Sequence, residues 1–175
     1  MNKKNLLLIL SGVFVLLLLG SCTWQNEVHS TPDIRYYSPI TRHAGDTLLI
    51  DTLFVTVGEE GYVLDTLQVG DTVCFDLLFN TGYNNMQRIH IKNDTTCSRL
   101  CYFFRDQLEE LVLPSSRFDE GEFFFEEGVM AIRMQVGYIA TAPSKNPKLY
   151  FSVESDSKYS PGKRSITTPI IPKRD

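Results

Sequence analysis

From residue 72 to residue 154 the chain repeatedly alternates apolar with polar side chains, and this period of two restricts the fold more than any other feature. Val73, Phe75, Leu77 and Phe79 alternate with Thr72, Cys74, Asp76 and Leu78. Ile89 and Ile91 alternate with Arg88, His90 and Lys92, and Met130, Ile132, Met134 and Val136 with Val129, Ala131, Arg133 and Gln135. Leu149, Phe151 and Val153 alternate with Tyr150, Ser152 and Glu154. Successive side chains on a strand point to opposite faces, so each run has an apolar face and a more polar one. Antiparallel sheets packed on one side and wet on the other have this pattern. Leu48 to Val57 is apolar at both parities around Asp51-Thr52, which predicts either burial on both faces or a change of sheet at a bulge.

The turn signals agree. Val69-Gly70-Asp71 separates two strands, and Glu127-Gly128 between Phe123–Phe125 and Val129–Val136 reads as a hairpin. Gly137-Tyr138-Ile139-Ala140-Thr141 is read as lying between the last two strands. Asp-Thr followed by Leu or Val recurs at 46, 51, 65 and 71, too irregularly for a structural repeat. One segment departs from the alternation. Cys97, Leu100, Cys101, Phe104, Leu108, Leu111 and Val112 fall at three-and-four spacing, with Asp94, Thr95 and Thr96 as caps before them and Pro114 as a stop. The whole predicts a mainly β chain: an immunoglobulin-like antiparallel β-sandwich with one inserted helix near 98–112. The Cys–Trp–Cys hallmark is missing, since Trp24 lies outside the core and no Cys lies near 129–136, so the likeness is one of architecture.

The first residues are of another kind. Lys3 and Lys4 precede an apolar run, Leu6 to Leu19, interrupted only by Ser11 and Gly12. As a helix this run would be roughly 21 Å long, short of the roughly 30 Å hydrocarbon thickness of a bilayer. It therefore reads as an export signal. Leu19-Gly20-Ser21-Cys22 resembles the cleavage box of bacterial lipoproteins. The resemblance implies a signal peptide over 1–21 and a lipid on the Cys22 thiol, which becomes the mature N-terminus. Each buried methylene adds about 0.8 kcal/mol, so several acyl chains anchor firmly. Loss of residues 1–21 removes Lys3 and Lys4 and takes the formal charge from -4 to -6. The acidic balance argues against nucleic acid as a partner. Thr23 stands after the Cys, not the Asp that retains some lipoproteins at an inner membrane, so the outer membrane is expected, on either its periplasmic or its cell-surface face.

Residues 22–45 are polar and contain Pro32, Pro39 and Gly45; they read as a tether with a short strand expected at Ile34–Tyr37. Residues 156–175, with Pro161, Gly162, Pro169, Pro172 and five basic residues, read as an extended tail. The sandwich is thereby assigned to 46–155. This plan of signal, lipid box, tether and one small sandwich resembles the small lipoproteins of Bacteroidetes, a family that supplies no catalytic residues to carry over.

Few residues point to chemistry. Beyond Cys22 stand Cys74, Cys97 and Cys101, an odd number for an oxidising compartment. On a helix Cys97 and Cys101 would share a face, and a disulfide from Cys74 to one of them is expected; a direct Cys97–Cys101 bond and buried thiols are the alternatives. Cys97-Ser-Arg-Leu-Cys101 is one residue longer than a redox Cys-x-x-Cys, although Arg99 could lower a thiol pKa. His90 sits between Arg88 and Lys92, which disfavour the imidazolium that a general base must form. This cationic strand face could instead meet an anionic glycan or protein. Eight acids between Asp106 and Glu127 surround Arg117, and Asp119-Glu120-Gly121-Glu122 lacks the spacing of a calcium loop. Tyr83 and Asn84, in the loop Asn80-Thr-Gly-Tyr-Asn-Asn85, are candidates with His90 for ligand contact, because exposed Tyr among Asn suits sugar stacking. No catalytic residue, metal or cofactor is expected. The reading is a lipid-anchored, non-catalytic envelope protein that binds or assembles an envelope protein or glycan; a glycan-binding accessory lipoprotein is the first alternative and a thiol-redox or hydrolytic enzyme the second.

Overall fold

The computed structural model describes residues 30–44, 48–58 and 61–173. The chain is mainly β. Strands β1 (Asp33–Tyr36), β2 (Ile40–Ala44), β3 (Leu48–Leu53), β4 (Val55–Gly58), β5 (Gly61–Leu64) and β6 (Leu67–Gln68) lead to the long β7 (Asp71–Asn80). Then come β8 (Met86–Asn93), β9 (Ser98–Tyr102), a short helix α1 (Arg105–Glu109), a 3-10 turn (Phe118–Glu120), β10 (Glu122–Phe124), β11 (Ala131–Ala140), β12 (Lys148–Ser155), β13 (Gly162–Thr167) and β14 (Ile170–Ile171). One sheet runs β3-β2-β7-β11-β9, with β1 also on β7; the other runs β10-β8-β12-β13-β5-β4. β6 and β14 form a small parallel pair.

The two sheets close on one apolar core. Val73, Phe75, Leu77 and Phe79 of β7 and Leu149, Phe151 and Val153 of β12 are fully buried, and the Phe75 and Phe151 rings meet edge to face at 5.7 Å. Consecutive strands β7 and β8 lie in different sheets, as do β11 and β12. Each crossing sends the next alternating run to the opposite wall of the same core, which makes the fold a sandwich. Leu48 to Val57 takes the second of its two predicted courses: β3 pairs with β2, β4 with β5, and the exposed Phe54 marks the change of sheet.

Four expectations are corrected. First, the sheets extend beyond 46–155 at both ends. β1 and β2 lie end to end along β7, within the segment read as a tether, and β13 pairs with β12 within the segment read as a tail. Arg164 disguised β13. Its guanidinium faces inward, donates to the Ile34 carbonyl (2.5 Å) and lies 5.7 Å from the Tyr36 ring, so a charge stands where an apolar residue signals a strand. Second, the helix near 98–112 is confined to 105–109. Residues 98–102 are β9, with Leu100 and Tyr102 against Tyr138 and Val136 in the register. The predicted cap residues make a turn: Asp94 accepts from Thr96 N–H (3.1 Å) and Oγ1 (2.6 Å) and leads directly into β9. Over five residues the two periods cannot be told apart. Third, Glu127-Gly128 turns the chain as predicted, but β10 pairs with β8 and β11 with β7, so it joins the two sheets and is not a hairpin. Fourth, Gly137 to Ala140 lie inside β11.

The outer face of β7 carries a charged staple. Arg133 of β11 donates to Asp76 from Nε (2.7 Å) and from its terminal nitrogen (2.6 Å), and Ser38 Oγ donates to the same carboxylate (2.8 Å). The Arg133 guanidinium also covers the Tyr37 ring at 4.0 Å, and Tyr37 N–H donates to the Asp76 carbonyl (2.8 Å). The staple holds the break between β1 and β2 onto β7. Hydrogen bonds from Arg133 hold the Asp76 carboxyl below its ordinary pKa, against the opposing effect of its burial. A carboxylate with a depressed folded pKa stabilises above its unfolded value, and that contribution is lost as pH falls through the folded one. Asp76→Asn should therefore cost about 1–3 kcal/mol at neutral pH. Urea titrations from pH 7 to pH 3 should show a shallower acid-side loss of stability in the variant than in the wild type.

Candidate functional site

A cleft of about 910 Å³ lies at one open edge of the sandwich. β9 is the last strand of its sheet and forms one wall; β8 from His90 to Asn93 forms the floor, and the 3-10 turn before β10 forms the other wall. The lining carries both charges. Lys92, Arg99 and Arg105 line the cleft together with Asp119, Glu120 and Glu122. Two of these acids are engaged: Arg117 pairs with Glu120 (2.9 Å) and with Glu122. Of the acid cluster seen in the sequence, Glu109 pairs with Arg105 and Glu120 and Glu122 with Arg117, and among the described residues no three His, Cys, Asp or Glu come together as metal ligands.

Two aromatic rings, Tyr102 and Phe118, line the cleft and pack on the buried Phe123. Tyr102 packs edge to face on Phe123 (5.1 Å) and on Phe118 (6.0 Å), Phe118 on Phe123 (5.0 Å), and Arg105 covers Phe118 at 4.6 Å. The Tyr102 hydroxyl is buried against Gly121 and has no hydrogen-bond partner among the described residues. Burial pushes its pKa far above the ordinary phenol value. Buried polar groups are ordinarily satisfied, so this orphan hydroxyl, sealed beneath Gly121, is an exception in the fold. Sequence reasoning did not assemble this site. Tyr102 and Arg105 fall within the segment expected as a helix near 98–112 and Phe118 within the acid-rich stretch; only the crossing from β9 to β10 brings them together.

The predicted site residues are dispersed. Cys22 lies outside the described residues. His90 lines the cleft, whereas Tyr83 and Asn84 lie in the loop before β8, and Met86 to His90 alone spans about 13 Å. The loop's polar groups serve the fold. Ser30 N–H donates to Asn84 Oδ1 (2.9 Å), Ser30 Oγ donates to the Thr81 carbonyl (2.5 Å), and Tyr83 N–H donates back to Ser30 Oγ (3.2 Å). Asn85 accepts from Gly128 N–H (2.8 Å) and donates to Asp156 (2.8 Å). Gly82, at φ +69°, admits this clamp: a Cβ there would fall 2.0 Å from Ser30 Oγ. Tyr83 itself stays 75% exposed.

The expected disulfide is absent among Cys74, Cys97 and Cys101. Cys74, Gly137 and Cys101 stand in one row across β7, β11 and β9. Two strand spacings separate Cys74 from Cys101, about 9–10 Å between Cα atoms and beyond the roughly 7 Å limit for a disulfide. Cys101 Sγ instead fills the space over Gly137, 2.4 Å from where a Cβ would stand. In an extended β9, Cys97 and Cys101 are about 13 Å apart, not neighbours on a helix face. Burial raises the Cys97 pKa, and its thiol donates to the Asp94 carbonyl (3.6 Å). Burial also raises that of Cys74, with the neighbouring Cys101 second. Both thiols are therefore poor nucleophiles. In comparison with known proteins, no family model and no curated protein matches this chain.

Two outcomes follow. Native alkylation at pH 7 should leave Cys97 unmodified on the timescale that labels a urea-unfolded sample, as read by peptide mass mapping; rapid native labelling would contradict its burial. Gly137→Ala should destabilise by about 1–3 kcal/mol through overpacking against Cys101 and Phe103, measured by urea denaturation.

Proposed function

We propose that the chain is a lipid-anchored, non-catalytic protein of a bacterial outer membrane that holds a protein partner in the edge cleft. The carrying observation is the cleft itself. It offers an edge strand, cations and anions side by side in its lining, and the rings of Tyr102 and Phe118. An edge strand carries backbone donors and acceptors that another chain can pair with. Mixed charge on the walls favours register and selectivity over indiscriminate attraction. His90 contributes a partly buried ring on the floor, with Ser152 and Glu122 as its register partners.

The immunoglobulin-like connectivity expected from the sequence belongs to this same reading. The strand order places β7 and β11 in one sheet and β8 and β12 in the other, an arrangement suited to a rigid scaffold with a functional edge. Glycan binding through Tyr83 is less favoured, since the side-chain oxygens of Asn84 and Asn85 are occupied within the fold. The anchor rests on the match at Leu19-Gly20-Ser21-Cys22.

Two measurements test this reading. An alkyne fatty acid fed to expressing cells should label the wild-type protein and not Cys22→Ser; equal labelling, or none, contradicts the anchor. A photocrosslinking side chain placed at Arg99 should capture one discrete protein in intact envelopes, and reversal of Arg99 and Arg105 to Glu should reduce that capture about tenfold. Capture unaffected by the reversal, or none at all, contradicts the cleft as the partner site.

A further inference from the structure

The chain enters the sandwich at one end only, and that end carries exposed aromatic and thioether side chains. We propose that the end bearing Tyr83 rests on the membrane, with Tyr83, Met130 and Tyr159 at the interface of a zwitterionic bilayer. This rests on the reading of Cys22 as the lipid-bearing residue.

The geometry sets the orientation. Ser30 is held by the Thr81, Tyr83 and Asn84 groups described above, so the first described residue is fixed to the Tyr83 loop. Ser30 lies eight residues after Cys22. Eight residues span at most about 29 Å, even fully extended. The ten-residue β11 alone spans about 30 Å, and the turns at its two ends lengthen the body further. To seat the opposite end on the bilayer, the linker would have to run back along that full length, which exceeds its reach. The Tyr83 end is therefore the one held near lipid.

Its surface suits that place. Thr81 N–H donates to the Met130 carbonyl (2.9 Å), and Asp156 N–H donates to the Asn85 carbonyl (3.1 Å), so the turns carrying Met130 and Tyr159 lie beside the Tyr83 loop. The three side chains are 75%, 42% and 45% exposed for Tyr83, Met130 and Tyr159. Tyrosine, apolar in its ring and polar at its tip, concentrates at membrane–water interfaces. Exposed Glu126, Glu127 and Asp156 stand there with exposed Lys158, 5.7 Å from the Tyr159 ring, so this end carries both signs and the proposal is accordingly for a zwitterionic surface.

Full-length lipidated protein carrying Trp24→Phe would be used with one added tryptophan, as Tyr83→Trp, Tyr159→Trp or, at the opposite end, the exposed Lys145→Trp. Each would be reconstituted into phosphatidylcholine vesicles with plain or brominated acyl chains and checked by flotation. Fluorescence from positions 83 and 159 should fall by about half in brominated vesicles, and that from position 145 should not change. Protein that floats with positions 83 and 159 no more quenched than position 145 overturns the orientation and leaves the anchor standing. Protein that does not float overturns the anchor and the orientation together.

Discussion

The structure depends on β7 being buried on both faces. It pairs with β1 and β2 on one side and β11 on the other. Its inner residues fill the core, while Thr72 and Asp76 on its outer face are also buried. A buried carboxylate is tolerable only when paired and hydrogen-bonded. Arg133 and Ser38 meet that need, and with the bond from Tyr37 N–H to the Asp76 backbone carbonyl they fix where the interrupted edge β1–β2 sits. The position of Ser30, and with it the point at which the chain leaves the sandwich, follows from this edge.

The same requirement separates the two ends in chemistry. At the Tyr83 end the amide groups of the loop are consumed internally, by Ser30, Gly128 and Asp156, while Tyr83, Met130 and Tyr159 stay exposed among a few charged side chains. In the cleft the reverse holds. Lys92 and Arg99 line it together with Asp119. A surface whose hydrogen bonds are satisfied suits an interface with lipid. A surface with available donors suits a directional partner.

The alternating runs made the sandwich legible, because a period of two survives wherever one face is buried by side chains of one kind. β7, β8, β11 and β12 follow their patterns closely. The reading failed where an inward position was polar or an outward one apolar. Arg164 hid β13, and Ser98 inside with Cys101 outside gave β9 the look of a helix. The candidate cleft was not legible at all. Its residues come from β8, β9, α1 and the turn before β10, and no spacing along the chain encodes that two sheets leave a gap between them. The Asn-rich loop was legible as a turn, but its role as a clamp needed Ser30, some fifty residues earlier.

The direction of β8 joins the two proposals. The strand starts at Met86 beside the Tyr83 loop and ends at Asn93 in the cleft. If the Tyr83 end rests on lipid, the cleft half of β8 is carried away from the bilayer by about 13 Å or more. That distance exceeds the roughly 8–10 Å over which salt screens surface charge. Cations in the cleft are then largely uncoupled from headgroup charge, and their selectivity is set by the partner they meet. An anchor at the cleft end would expose the same arginines to lipid phosphates, which would compete for them. Placing the clamp at the other end of the strand keeps attachment and recognition apart on one rigid element.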